Sequence, residues 1–344
     1  MTRFAPPTSG DEGGAASNAR SGRQRGTRLA WISGAFLLVA LVLVVSHVGE
    51  ERRFAELARG AKPGWLLVAA LLQAGTYFCA AAVWQRALQR ARAGPRFLSL
   101  VPLGLAKLFT DQAVPSAGMS GTVLVVRALV RRGIPRGQAA AAMLVGLAAF
   151  YIAYALAVGA GVAALWVLGG LDRLLLVLAS ALALLAGAVP AAVLGFGGRF
   201  SGRLPRFLKR LPGARQAVSV LSEVPRGSLW GPRLAAETVG LQLGVFLLDA
   251  ATLAAMLLAV SAPAPPEIVF ASFVFASVVA TLAFVPGGLG TFEGTCVAML
   301  SAHGVAPEAS LAATLLLRGF TFWLPMLPGL WLARREMGPR RAAP

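Results

Sequence analysis

The feature that most constrains this chain is a series of long stretches without one charged residue, separated by short clusters of arginine. Such stretches run over 29–46, 63–85, 137–171, 174–198, 268–292 and 319–333, and 238–260 joins them although it carries Asp249. About 20 apolar residues suffice to cross the hydrocarbon core of a bilayer. The composition agrees: 57% of residues are hydrophobic and 13% charged, against about 25% charged in soluble domains. A net charge of +18 raises nucleic acid as a partner, but a nucleic-acid binder keeps its basic residues on a solvated face. Here they punctuate apolar runs, as in a polytopic membrane protein. Cys79 and Cys296 sit apart in apolar surroundings, and His47 and His303 are the two histidines. That excludes a disulfide scaffold and leaves no histidine cluster for zinc.

Residues 1–27, rich in Gly, Ser, Ala and Arg, read as a disordered basic cytoplasmic tail. The apolar run after Arg28 is longer than a signal-peptide core and lacks a small-residue cleavage site, so it reads as a signal anchor and first span. The run 137–171 is long for one crossing; a tilted helix over 138–162 is expected, with two short spans as the alternative. Two regions, 97–130 and 267–302, are apolar but broken at their centres by Pro115-Ser-Ala-Gly118-Met-Ser-Gly121 and Pro286-Gly-Gly-Leu-Gly290. Their arms are too short to cross comfortably, so both read as re-entrant helical hairpins. Irregular backbone at membrane depth is tolerated where it is buried in protein or lines a wet cavity.

Charge supports that topology. With both termini cytoplasmic and both hairpins returning to their own side, the cytoplasmic segments hold 24 of the 32 Lys and Arg and the outer ones five; Lys107, Arg127 and Arg318 lie inside hydrophobic segments. The expected architecture is an all-α polytopic protein of about six spans plus two hairpins, over 28–335, with a basic connector at 199–237 and a short cytoplasmic tail at 336–344. The halves, roughly 64–162 and 238–333, align at an offset of 171 residues: Thr110 on Thr281, Val114 on Val285, Pro115 on Pro286, Gly133 on Gly304, and Ala139 to Met143 on Ser310 to Thr314. Hairpins entering from opposite sides make this an inverted-topology repeat, a construction that places sites at the repeat interface near the midplane.

Helices restart after each break, and a helix N-terminus offers unpaired N–H groups to an anion. Pro115, Gly118, Gly121, Pro286, Gly287, Gly288 and Gly290 are therefore candidate binding positions, glycine allowing close backbone approach. Ionisable residues within the membrane are costly and each is a functional candidate. Glu293 opens the second half-helix and Arg318 lies roughly 15 Å into the last span; the two can pair across the bundle, reading either as a structural ion pair or as a substrate or proton site. Lys107 and Asp111, four residues apart, share one helical face and can neutralise each other. Asp249 has no local partner, reading as a protonated carboxyl or a coupling site. Arg127, Arg131 and Arg132 lie toward the cytoplasmic surface, and the basic loop 199–210 reads either as a topology signal or as an interfacial segment held by anionic lipid headgroups.

Val285-Pro-Gly-Gly-Leu-Gly-Thr-Phe-Glu293, His303-Gly-Val305 and Leu316-Leu-Arg318-Gly-Phe-Thr-Phe-Trp323-Leu-Pro325 resemble the second-half signature of the lysylphosphatidylglycerol synthase transmembrane (flippase-like) family; Pro115 to Gly121 with Arg131-Arg-Gly133 is similar to the matching first-half segment. The resemblance covers about 30–335. It implies a membrane domain that, in bifunctional members, moves aminoacylated phosphatidylglycerol between leaflets, here as a stand-alone member without the soluble aminoacyl-transferase domain. Glu293 and Arg318 carry over as functional positions, whereas the acidic residue many members place after the first-half glycine is Thr122 here. The leading expectation is thus a flippase or exporter of a phospholipid or lipid-linked molecule in the cytoplasmic membrane, with no cofactor and, as protein partner, a second copy of itself or a lipid- or glycan-biosynthesis protein. A non-transporting partner subunit in lipid or glycan assembly, and a membrane enzyme on lipid-linked substrates, are the alternatives.

Overall fold

A computed structural model describes residues 59–90, 94–113, 119–167, 231–283 and 285–337, with isolated helical positions between 173 and 187. The expected first span at 29–46, the tail before it, most of the 174–198 span, the connector 199–230, and the turn residues Pro115 and Gly118 lie outside the described residues. The described chain is all α-helical, an all-α polytopic membrane protein. Helix α1 is Pro63–Arg90, α2 Val101–Ala113 after a short 3-10 turn at Phe97–Ser99, α3 Met119–Arg131 and α4 Arg136–Val167. Helix α5 is Pro232–Ala259, α6 Pro266–Leu282, α7 Thr291–Ala302, α8 Pro307–Arg318 and α9 Leu324–Met337. Among the described residues four helices are long and apolar enough to cross a membrane: α1, α4, α5, and α8 continued through α9 over Pro307–Glu336. The long charge-free run after residue 137 is one helix of 32 residues, so the two-short-span alternative falls.

Local chemistry sets these boundaries. Proline opens α1, α5, α6 and α8, where its missing N–H costs nothing and its fixed φ suits the first turn. Both breaks occur where the sequence interrupts its apolar runs: α2 ends at Ala113 and α3 starts at Met119, while α6 ends at Leu282 and α7 starts at Thr291. At 13, 13, 17 and 12 residues, these arms extend about 18–26 Å at 1.5 Å per residue, short of a hydrocarbon core about 30 Å thick.

The 171-residue offset recurs in the turns. Gly133 and Gly304 both adopt left-handed φ, +85° and +91°. Around them Ile134 N–H donates to Leu129 C=O (3.2 Å) and Val305 N–H to Leu300 C=O (3.1 Å); Ala139 N–H donates to Pro135 C=O (3.0 Å) and Ser310 N–H to Ala306 C=O (2.9 Å). Each of these bonds has its counterpart 171 residues on.

Helices α1 and α5 lie antiparallel, with Lys62 N–H bonded to Ala259 C=O at one end (3.0 Å) and Arg86 near Glu237 at the other (3.8 Å). Helix α4, Ala-rich and buried on most of its surface, runs through two hydrophobic clusters. One gathers α1, α2, α3 and the start of α4; the other gathers the end of α4 with α5 to α8. Small residues let backbones approach where lipid offers no hydrophobic drive between helices. The packing is reciprocal: α4 of the first half lies on α6 of the second, and α9, closing the second half, lies on α2 of the first. Arg132 clamps Glu336 with two bonds of 2.7 and 3.2 Å, and Arg131 donates to the Glu336 carbonyl.

The closest point of the α2–α9 contact is Gly329, where an added Cβ would lie 2.7 Å from the Leu105 carbonyl oxygen and 2.8 Å from Phe109 Cβ. Backbone cannot yield there as a flexible side-chain tip would. Gly329→Val is expected to cost about 1–3 kcal/mol through overpacking and to lower the unfolding midpoint in detergent; an unchanged midpoint would show that α9 is not seated on α2.

Candidate functional site

The second break is built on glycine. Gly287, Gly288 and Gly290 have φ of +66°, +63° and +79°, a conformation L side chains avoid. A Cβ on Gly288 would also meet Ala280 Cβ at 2.6 Å. This folds Pro286–Gly288 into one tight turn and leaves the first N–H groups of α7 unpaired by helix bonds. Glu293, in the first turn of α7, reaches back so that its Oε2 accepts the Gly290 N–H at 2.7 Å, the reciprocal half of a capping box. Its Oε1 accepts Arg318 Nε at 2.7 Å.

Arg318 ends α8 and is held on three sides. Besides Glu293, it donates from Nη2 to the Gly287 carbonyl, and its guanidinium lies 4.7 Å from the Phe322 ring centre and 5.2 Å from that of Phe292. Phe322 reaches it through a π-helical turn over Gly319–Trp323. Pro325, lacking an N–H, cannot bond to the Thr321 carbonyl, and the helix widens just ahead of it. The side chains of Arg318 and Glu293 are only 12% and 5% exposed. One buried ion pair thus joins the last long span, the glycine turn and the start of α7.

The first break carries a counterpart assembled differently. Lys107 Nζ pairs with Asp111 Oδ2 at 2.5 Å, while Asp111 Oδ1 accepts the Gly121 N–H at 2.8 Å. Ser120 Oγ donates to the Thr110 carbonyl at 3.0 Å. A Cβ on Gly121 would fall 2.4 Å from Asp111 Oδ1 and 2.7 Å from Lys107 Cγ, so glycine is needed there. In both hairpins a carboxylate caps the second arm and a cation neutralises the carboxylate. Where Thr122 aligns with Glu293, α2 supplies the carboxylate instead.

Asp249 belongs to neither cluster. Gln73 Nε2 on α1 donates to its Oδ1 at 2.8 Å and also to Thr252 Oγ1 at 3.0 Å. Of the sequence-derived candidates, the structure brings together Glu293, Arg318, Gly287 and Gly290 in one place and Lys107, Asp111 and Gly121 in another. It adds Gln73, Phe292 and Phe322, which sequence reasoning passed over. Pro325, inside the quoted signature, was the available signal for the π turn; nothing local marks Gln73. Among the described residues no three His, Cys, Asp or Glu side chains gather as a metal-ligand set.

A family model described as the lysylphosphatidylglycerol synthase TM region matches residues 30–329, and the chain belongs to that family. No curated protein matches it. The protein is a multi-pass membrane protein of a family tied to lipid metabolism or transport.

The pair makes a sharp energetic expectation. Glu293→Leu strands a buried guanidinium and is expected to cost about 3–5 kcal/mol, whereas Glu293→Leu with Arg318→Met, removing both charges, recovers most of it. Unfolding midpoints of the parent, both single variants and the double variant measure this; equal losses in single and double variants would show that the pair is not buried.

Proposed function

We propose that this protein moves a phospholipid or lipid-linked molecule between leaflets of the cytoplasmic membrane, acting as a transporter rather than an enzyme, with both termini cytoplasmic. The observation that carries the reading is the buried Arg318–Glu293 pair at the broken tip of the α6–α7 hairpin. There a cation and the N-terminal amides of α7 converge inside the span, the donor set an anionic headgroup requires. Beside Arg318, Leu315, Leu316, Gly319, Phe320 and Leu324 line an open apolar groove of about 380 Å³, suited to an acyl chain.

Short paired arms, the recurring turn bonds and the antiparallel α1–α5 pair support reading the halves as an inverted-topology repeat with re-entrant hairpins. A headgroup entering at the tip competes with Glu293 for Arg318, and the exchange accompanies rocking of one half against the other. Anionic headgroups would also gather at the cytoplasmic basic loops.

One observation favours the alternative of a non-transporting partner subunit. The α1–α5 contact is close, Gly75 facing Leu248 and Gly244 facing Cys79, and its polar groups bond to one another. Reconstitution separates the two readings. In proteoliposomes, quencher access to headgroup-labelled anionic and zwitterionic lipids is expected to rise well above empty liposomes, and Arg318→Gln and Glu293→Gln to lower it by about tenfold or more, roughly 1.4 kcal/mol. A well-inserted Glu293→Gln protein that transports like the parent overturns the assignment; exchange equal to empty liposomes for every lipid favours the partner-subunit reading.

A further inference from the structure

Asp249 is the intramembrane carboxyl for which the proposed lipid path has no use. It lies in the second half of α5 and is half-buried; Phe246, Thr252 and Leu253 one turn away are buried and Val245 is half-buried, so it is on the side of the helix that packs against α1. Its bonded neighbour is Gln73 on α1, which is itself 5% exposed. That amide spends its Nε2 donors on Asp249 Oδ1 and Thr252 Oγ1.

Among the described residues no cation pairs with the carboxyl. Helices α1, α4, α6 and α8 pack on α5. Their titratable and charged groups within or near the spans are Tyr77 and Cys79 on α1, Tyr151 and Tyr154 on α4, Glu267 on α6, and Glu308 and Arg318 on α8. Tyr154 bonds Thr281 (3.3 Å) and Arg318 bonds Glu293. The cations at helix ends are Lys62, just ahead of α1, Arg86, which pairs with Glu237, Arg90 and Arg136. Among the described residues none of the ion pairs includes Asp249. This differs from Asp111 and Glu293, each of which has its own lysine or arginine. A carboxylate without a counter-charge is expensive at membrane depth; a proton removes the charge and leaves a neutral acid that still accepts from Gln73.

We propose that Asp249 is a proton-binding site in the α1–α5 seam, and that its proton is exchanged when the seam opens. The seam joins the two halves, since α1 opens one and α5 the other, so relative movement of the halves shears the Gln73–Asp249 bond and alters what Asp249 meets. The site would supply a proton-coupled drive for the transport proposed above; it rests on that reading for the coupling but not for the proton.

Two measurements on the full chain in lipid test it. The infrared difference between the parent and Asp249→Asn at neutral pH is expected to contain the carbonyl-stretch band of a protonated carboxylic acid. That band shifts in deuterated water and moves to higher frequency in Gln73→Leu, which removes the bond to the carbonyl. Carboxylate bands in its place would overturn the proton site, with a bound cation as the replacement reading. In proteoliposomes, a gradient of about one pH unit is expected to change labelled-lipid flux by several-fold, bounded by about tenfold for one proton, and the ratio of fluxes with and without the gradient falls to one in Asp249→Asn. Parent flux indifferent to the gradient overturns the coupling while leaving transport standing. If no lipid moves at all, the transport reading fails and the infrared band alone decides Asp249.

Discussion

An arginine inside a span must find a counter-charge and acceptors for its N–H groups, and much of the described architecture follows from how Arg318 does so. Its carboxylate partner Glu293 simultaneously caps α7, its carbonyl partner Gly287 belongs to the turn that ends α6, and its aromatic neighbours come from α7 and the π turn. Losing the pair would therefore uncap a helix, loosen a glycine turn and leave a guanidinium in a low-dielectric interior, where desolvation of an unpaired charge is the dominant cost. The same constraint explains why irregular backbone survives here: the Gly290 amide and the Gly287 carbonyl at the break each find a partner.

The first hairpin obeys the constraint with different residues. Asp111 sits ten residues before the amide it caps, on the preceding helix, whereas Glu293 sits three residues after its own. The requirement conserved between the halves is a neutralised carboxylate at the start of the second arm. Position in the sequence is free as long as the fold delivers an oxygen to that amide. Gly121 and Gly288 serve this economy by admitting a neighbouring element closer than any Cβ permits.

The two halves are interlocked rather than stacked. Since α4 lies on the second hairpin and α9 on the first, neither hairpin is enclosed by its own half, and displacement of one half moves the wall of the other half's hairpin. The α1–α5 pair crosses between them with a part-buried amide–carboxyl bond. A lipid-handling site at a hairpin tip and a titratable group in the crossing pair would then be linked by rigid helices, without a direct contact between them.

Much was legible in the sequence. Charge-free runs of sufficient length marked the described spans, because hydrocarbon admits few unpaired charges. The Pro-Gly cluster at 286–290, inside one of those runs, determined the second break, because it removes a donor and allows left-handed φ, and the 171-residue recurrence located Gly133 and Gly304 in matching turns. Glu293 and Arg318 were both visible as intramembrane charges. Tertiary structure alone decided the partners. Gln73 is 176 residues from Asp249 and looks like any polar residue at a helix surface; Asp111 takes the role that alignment would have sought at Thr122; and Gly329 against Leu105 brings α9 onto the first hairpin. Helices in lipid associate through shape, small residues and scattered polar bonds instead of an apolar stripe. The sequence therefore marks which segments enter the membrane but carries little periodic signal for which face of one meets which face of another.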